Sequence, residues 1–246
     1  MISQRMIAAI VCLLTSLSAA NAKAERGGMD AGGGDIVRCN RMGLSGFFTL
    51  DYALMVGRGH VPLKELDPKL KKARHAQRVV REIFGINAPR FLSSFDSFFR
   101  STGQIDWCGY GSQHCQPSDV ASGDREWNSS SLKLKNLNDE GDLAALPQEC
   151  KEHLSDPGSP WVVPAYQAVI RTEIPGKIVY NYGVSLRWIQ NEPYQLSFLL
   201  MHEWLRDFTN DPEVIRNVTW LLHTRKVQEL NVKEFNLALR KLGLKF

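Results

Sequence analysis

Residues 196–205 read Leu-Ser-Phe-Leu-Leu-Met-His-Glu-Trp-Leu. The run is apolar almost all the way round a helix, so it predicts a helix that is buried, with the rest of the chain as its cover. The material for that cover is there. Of 246 residues, 43% are hydrophobic and 23% charged, which is the balance of a globular protein. It excludes a collagen-like, low-complexity or wholly disordered chain. Only one other long apolar stretch occurs, at the extreme N-terminus, so a polytopic membrane protein is excluded as well.

Within this helix stand His202 and Glu203, with Arg206 and Asp207 one turn later. A buried carboxylate is costly unless it finds a partner or takes up a proton. Arg206 is the partner nearest in sequence, three residues from Glu203 and four from His202, on the same side of the helix. Two readings follow. In the first, His202, Glu203, Arg206, Asp207 and Arg216 form a buried polar network that fixes the packing of the last helices. Asp211 and Arg216 join it if the helices on either side of Thr209-Asn210-Asp211 form an antiparallel hairpin. In the second, His-Glu on a helix after a β-hairpin points to a divergent zincin-like hydrolase. Zinc is held there by two histidines four residues apart, and the Glu is the general base. Glu203 would be that base, and His202 and His223 would be ligands. The second ligand position on the helix is Arg206, however, a permanent cation that binds no metal. Zinc enters only under this alternative. No Gly-x-Ser-x-Gly sequence and no diagnostic pair of carboxylates suggests other chemistry.

The N-terminus fixes the setting. Met1–Arg5 carries one positive charge, Met6–Leu17 is twelve residues without charge, and Ser18-Ala-Ala-Asn-Ala22 places small residues at a cut after Ala22. This is the layout of a secretory signal peptide over residues 1–22, with a second candidate cut after Ala24. The apolar part is shorter than the roughly 20 residues that span a bilayer, so no transmembrane anchor is expected after cleavage. Loss of Arg5 takes the formal charge from +4 to +3, too little to argue for nucleic acid. Residues 23–35 are glycine-rich and read as a flexible tail, and 36–246 as a single disulfide-linked globular domain. Removing Cys12 with the leader leaves Cys39, Cys108, Cys115 and Cys150. An even number in an oxidising compartment suggests two disulfides, and four cysteines allow three pairings. Cys108 and Cys115 flank a short loop with two glycines and are easily bridged. Cys39 with Cys150 would then tie the N-terminal segment to the middle of the chain.

Along the domain, Ile36–Cys39 reads as a short strand, and Phe47–Met55 fits strand or helix. A helix is expected over 68–84, capped by Asp67 and stopped by Gly85. From Arg58 to Arg90 nine Lys or Arg stand against three acids. Residues 64–81 therefore allow weak contact with an anionic surface. The apolar stripe lacks Trp, which favours a solvated face on a packed helix. Leu92, Phe95, Phe98 and Phe99 mark a further helix with a core stripe. Residues 102–142 form a long connection in which Trp107, Tyr110 and Trp127 either line a binding surface or pack on the core. Trp161–Thr172 and Lys177–Tyr182, separated by Ile174-Pro175-Gly176, read as a β-hairpin. Val184–Gln190 reads as a further strand or a short turn of helix. Helices then start at Pro193 and at Asp211-Pro212, and a capping box at Asn231-Val-Lys-Glu234 opens a third that Gly243 ends. The expected fold is α+β: a small antiparallel sheet packed with helices, and a helical C-terminal third.

Gly32-Gly-Gly-Asp35 with Ile36, Val37 and Cys39, then Cys150 ahead of a strand, then Leu199-Leu-Met-His202-Glu203-Trp204 with Asp211 and Arg216 after it, form a pattern. It resembles a group of uncharacterised exported proteins of Gram-negative bacteria, predatory species among them. The resemblance covers about half the chain and leaves 60–145 outside it. It implies an envelope or secreted location, and the Cys39–Cys150 pairing suits it. It implies no activity, substrate or catalytic residue. The function expected is that of an exported protein, periplasmic or extracellular, in a non-catalytic binding or envelope-associated role. Ligand and partners are not indicated, and the zincin-like hydrolase is the alternative.

Overall fold

The computed structural model describes residues 34–41, 44–60, 89–105, 123–132, 134–137, 140–151, 163–189, 193–224 and 226–244. The expected leader, most of the expected glycine-rich tail, the helix expected over 68–84 with its 64–81 surface, Trp107, Tyr110, Cys108 and Cys115 lie outside them. The fold is α+β, with two sheets among the described residues. The first is antiparallel throughout, in the order β2-β1-β5-β4, from β1 (Asp35–Arg41), β2 (Leu44–Thr49), β4 (Leu134–Asn136) and β5 (Pro164–Gln167). The second is mixed, in the order β3-β7-β6. β6 (Val169–Ile174) and β7 (Lys177–Tyr182) form an antiparallel hairpin, and β3 (Arg125–Ser129) runs parallel to β7. The hairpin turn is Pro175-Gly176, where Gly176 adopts φ +76°, a conformation that needs glycine.

The strand expected as one piece over 161–172 is two. Ala168 separates β5 from β6, and the amides of Ala168 and Val169 both donate to the Gly34 carbonyl, at 2.6 and 3.3 Å. The chain therefore leaves one sheet and enters the other at the point where the N-terminal segment crosses it. The same contact places Gly34 and Asp35 in the fold: Asp35 opens β1 at 2% exposure. These two residues of the tail expected over 23–35 are packed instead, and a Cβ on Gly34 would sit 2.5 Å from the Val169 carbonyl.

Phe47–Met55 resolves into both of its candidate structures. β2 ends at Thr49 and α1 (Leu50–Gly57) starts at once. Thr49 is extended (φ −61°, ψ 142°), and its amide and hydroxyl both donate to Gln195 Oε1 at 2.9 and 3.1 Å. Further along are α2 (Pro89–Ser101), α3 (Glu140–Ala145), a 3₁₀ turn at Gln148–Cys150 and α4 (Leu186–Ile189). The C-terminal third is α5 (Pro193–Leu205), α6 (Pro212–Leu222), α7 (Lys226–Glu229) and α8 (Val232–Lys241). The caps are those written in the sequence. Asp211 accepts from the amides of Glu213 and Val214, and Asn231 and Glu234 form the capping box.

Helix α5 is the centre of the fold, and every side chain from Gln195 to Leu205 is buried. Leu199, Leu200, Met201, Trp204 and Leu205 belong to a core shared with Phe95, Phe98, Tyr180, Ile215, Val218 and Phe235. Phe198 belongs to a second core with Val37, Leu50, Leu54, Leu146 and Trp220. Trp127 is part of the first core and not of a surface. It stacks on Tyr180 at 4.3 Å and donates through Nε1 to Ser101 Oγ at 2.8 Å. Cys39 and Cys150, both fully buried, form a disulfide that joins β1 to the 3₁₀ turn.

Candidate functional site

His202, Glu203 and the charged residues just past α5 belong to two clusters, and most of their partners are not those that spacing along the helix suggests. In the first, His202 turns away from Arg206. Its Nδ1 meets Asp51 Oδ2 on α1 at 2.7 Å, with both side chains 1% exposed. Arg216 of α6 donates through Nε to Asp51 Oδ1 at 3.3 Å. Its two terminal nitrogens form a bidentate pair with Asp142 on α3, at 2.8 and 2.9 Å. Trp220 Nε1 donates to the Asp51 carbonyl at 2.8 Å. Burial pushes the Asp51 carboxyl up, but His202 and Arg216 together outweigh it and hold it below the ordinary carboxylate range. The Arg216 guanidinium is likewise penalised by burial and held charged by Asp51 and Asp142. An ionised Asp51 only accepts, so Nδ1 of His202 carries the proton, and Nε2 has no hydrogen-bond partner among the described residues.

The second cluster faces the mixed sheet. Asp207, just past the end of α5, receives Arg125 from β3 through both terminal nitrogens and Arg171 from β6 at 2.8 Å. Arg171 also donates to the Glu203 carbonyl at 3.2 Å and to Glu173 at 2.8 Å. Arg125 donates to the Tyr180 hydroxyl at 2.8 Å. Burial works against the Arg125 charge, and Asp207 and Tyr180 more than restore it. Burial also pushes the Tyr180 hydroxyl up, against the pull of Arg171 and Arg125. Glu203 pairs with Arg206 at 3.3 Å, the one contact in the set that spacing alone anticipated. Its other oxygen lies beside Gly34, where a Cβ would approach it to 3.1 Å.

The sequence candidates are thus divided. His202 and Arg216 share Asp51, whereas Glu203, Arg206 and Asp207 belong to the sheet side, and Asp211 caps α6. Successive helical residues point about 100° apart, so His202 and Glu203 look towards different neighbours. His223 has separate partners. Its Nδ1 meets the Thr219 carbonyl at 2.7 Å and its Nε2 meets Ser197 Oγ at 2.8 Å. A carbonyl only accepts, so in the neutral ring Nδ1–H donates and Nε2 accepts from the serine. This is a serine–histidine pair in chemical type, sealed at 0% and 1% exposure under the Phe198 ring. With both nitrogens engaged, His223 does not have the free lone pair of a metal ligand. Among the described residues no three of His, Cys, Asp and Glu gather into a metal-holding group.

Asp51, Asp142, Arg125, Arg171 and Ser197 were not among the sequence candidates. Asp51 carried the same signal as His202, an ionisable residue inside an apolar run. Arg171, between Ile170 and Thr172 in a predicted strand, carried a weaker form of it. No family model, curated protein or solved structure matches the chain.

Proposed function

We propose that this is an exported protein of the periplasm or cell exterior that acts by binding, with the charged helix α5 as its framework and not its catalyst. The observation that carries this reading is the disposition of the charged ends. Glu203, Arg206, Asp207 and Arg216 each meet an opposite charge inside the fold. What a hydrolase would present to substrate is here used to bind the N-terminal segment and the mixed sheet to the C-terminal helices. The leader pattern, the Cys39–Cys150 disulfide and the resemblance to exported Gram-negative proteins support the location. Expression of the full chain in a Gram-negative host tests it by intact mass. The expected product is found in the periplasm or medium and starts at Lys23 or Glu25. A cytoplasmic product that retains residues 1–22 would overturn the reading.

One observation favours a metal-dependent hydrolase as a second reading. A carboxylate on Nδ1 with Nε2 unpartnered is how a metal-ligating imidazole is oriented. Metal analysis of the processed protein beside His202→Ala separates the two. Near-stoichiometric zinc that disappears in the variant supports the hydrolase, which a peptidase and amidase screen then tests. Metal-free protein in both, with the variant melting earlier, establishes the framework.

A further inference from the structure

We propose that residues 140–151 form a strap over the His202–Asp51 pair, set in place by oxidation of Cys39 and Cys150. The strap is tied to the rest of the fold by the burial of Leu146, 3% exposed, in the core with Leu50, Leu54 and Phe198, and by three further contacts. Near its start, Asp142 holds Arg216 with two hydrogen bonds. In its middle, Ala145 and Pro147 press on the end of α1, where a Cβ on Gly57 would lie 2.1 Å from the Ala145 carbonyl and 2.9 Å from Pro147 Cδ. At its end, Cys150 is bonded to Cys39. Exposure falls along the line of charges that leads inwards: the side chains of Asp142 and Arg216 are 11% exposed, those of Asp51 and His202 1%. The strap supplies the outermost charge of that line, Asp142, and its middle lies against the helix that carries Asp51.

The ion pair, the fit at Gly57 and the burial of Leu146 are non-covalent and act whatever the redox state. The disulfide is the tie that changes with redox state, so it sets how often the strap opens. Closure proceeds by thiol–disulfide exchange with a disulfide oxidant. The Cys39 thiolate attacks the oxidant to give a mixed disulfide, and the Cys150 thiolate displaces it. The Cys39–Cys150 bond forms, the oxidant leaves as a dithiol, and two electrons and two protons pass to it. In the reduced chain the strap opens more often and lets solvent reach the His202–Asp51 pair, and in the oxidised chain it stays closed.

The test is the rate of histidine modification by diethyl pyrocarbonate on the folded, full-length processed protein, read separately at His202 and His223 by mass spectrometry. His223 is equally buried but its ring is held by Ser197 of α5 and Thr219 of α6, so it reports general opening. Two variants are compared with the oxidised wild type: Cys39→Ser/Cys150→Ser, which removes the covalent tie, and Gly57→Ala, which displaces the middle of the strap with the disulfide intact. His202 is expected to react about tenfold faster or more in the disulfide-free protein and measurably faster in Gly57→Ala, with His223 unchanged in both. The proposal is overturned if His202 reacts no faster in the disulfide-free protein. It is equally overturned if His223 accelerates with it in both variants, because the disulfide and Gly57 would then hold the whole fold and not the strap.

Discussion

Asp51 keeps its charge at 1% exposure because an imidazole N–H and a guanidinium face its two oxygens, at 2.7 and 3.3 Å. The carboxyl is thereby held below its ordinary value. In the unfolded chain an Asp titrates near about 3.9. A group with a depressed folded value contributes stability that is present above the unfolded value and lost as pH falls through the folded one. Denaturation midpoints of the wild type and Asp51→Asn should therefore differ by a constant amount above about pH 5 and converge below about pH 4. A gap that stays constant down to strongly acid pH would show that Asp51 acts by shape and not by charge. The residue scale is also where the sequence was least legible. That His202 and Glu203 need partners follows from their apolar surroundings. The partner of His202 lies 151 positions away, and nothing in the local pattern names it. Spacing found only Arg206 for Glu203, because that contact alone is made within one turn of helix.

Helix α5 joins two unlike surfaces because neighbouring residues on a helix diverge. His202 looks to α1 and α6, while Glu203 and the following Asp207 look to the mixed sheet. On that side one carboxylate lies between two guanidinium groups whose side chains are 7% and 3% exposed. Removing it leaves two adjacent buried cations, so Asp207→Ala should cost about 3–5 kcal/mol of unfolding free energy. Adding Arg125→Met should recover part of that loss, because one of the two adjacent buried cations goes with it. Urea denaturation of the two single variants and the double variant gives the coupling directly. Additive losses would mean that Arg125 and Asp207 do not depend on each other. At this scale much was legible, wherever the deciding chemistry is local. The Asp211 and Asn231 caps, the Pro175-Gly176 turn and the phenylalanine stripe of α2 were all readable. The break at Ala168 was not, since it is made by the carbonyl of Gly34 from a distant segment. The strand-to-helix change at Thr49 was not either, since its amide and hydroxyl are satisfied by Gln195.

At the scale of the molecule, the N-terminal segment is closed in by groups far from it in sequence: Cys150, Arg216 and His202. The α+β class could be read from the order of elements along the chain. The second sheet, with β3 parallel to β7, could not, because a pairing between separated strands is decided by what covers them. The disulfide spans a separation of 111 residues, so opening it frees a large part of the denatured chain. Cys39→Ser/Cys150→Ser should lose about 2–5 kcal/mol of stability. The dependence of unfolding free energy on urea shows where the loss arises. A cross-link of this span keeps the unfolded chain compact, so removing it should expose more surface on unfolding and steepen that dependence. A loosened strap acts in the opposite direction, because the native state already exposes surface that unfolding would have released. The strap is short beside the loop that the disulfide closes, so the slope is expected to rise while the midpoint falls. A slope that falls with the midpoint would place the effect of the disulfide in the native state, with more of the fold than residues 140–151 depending on it.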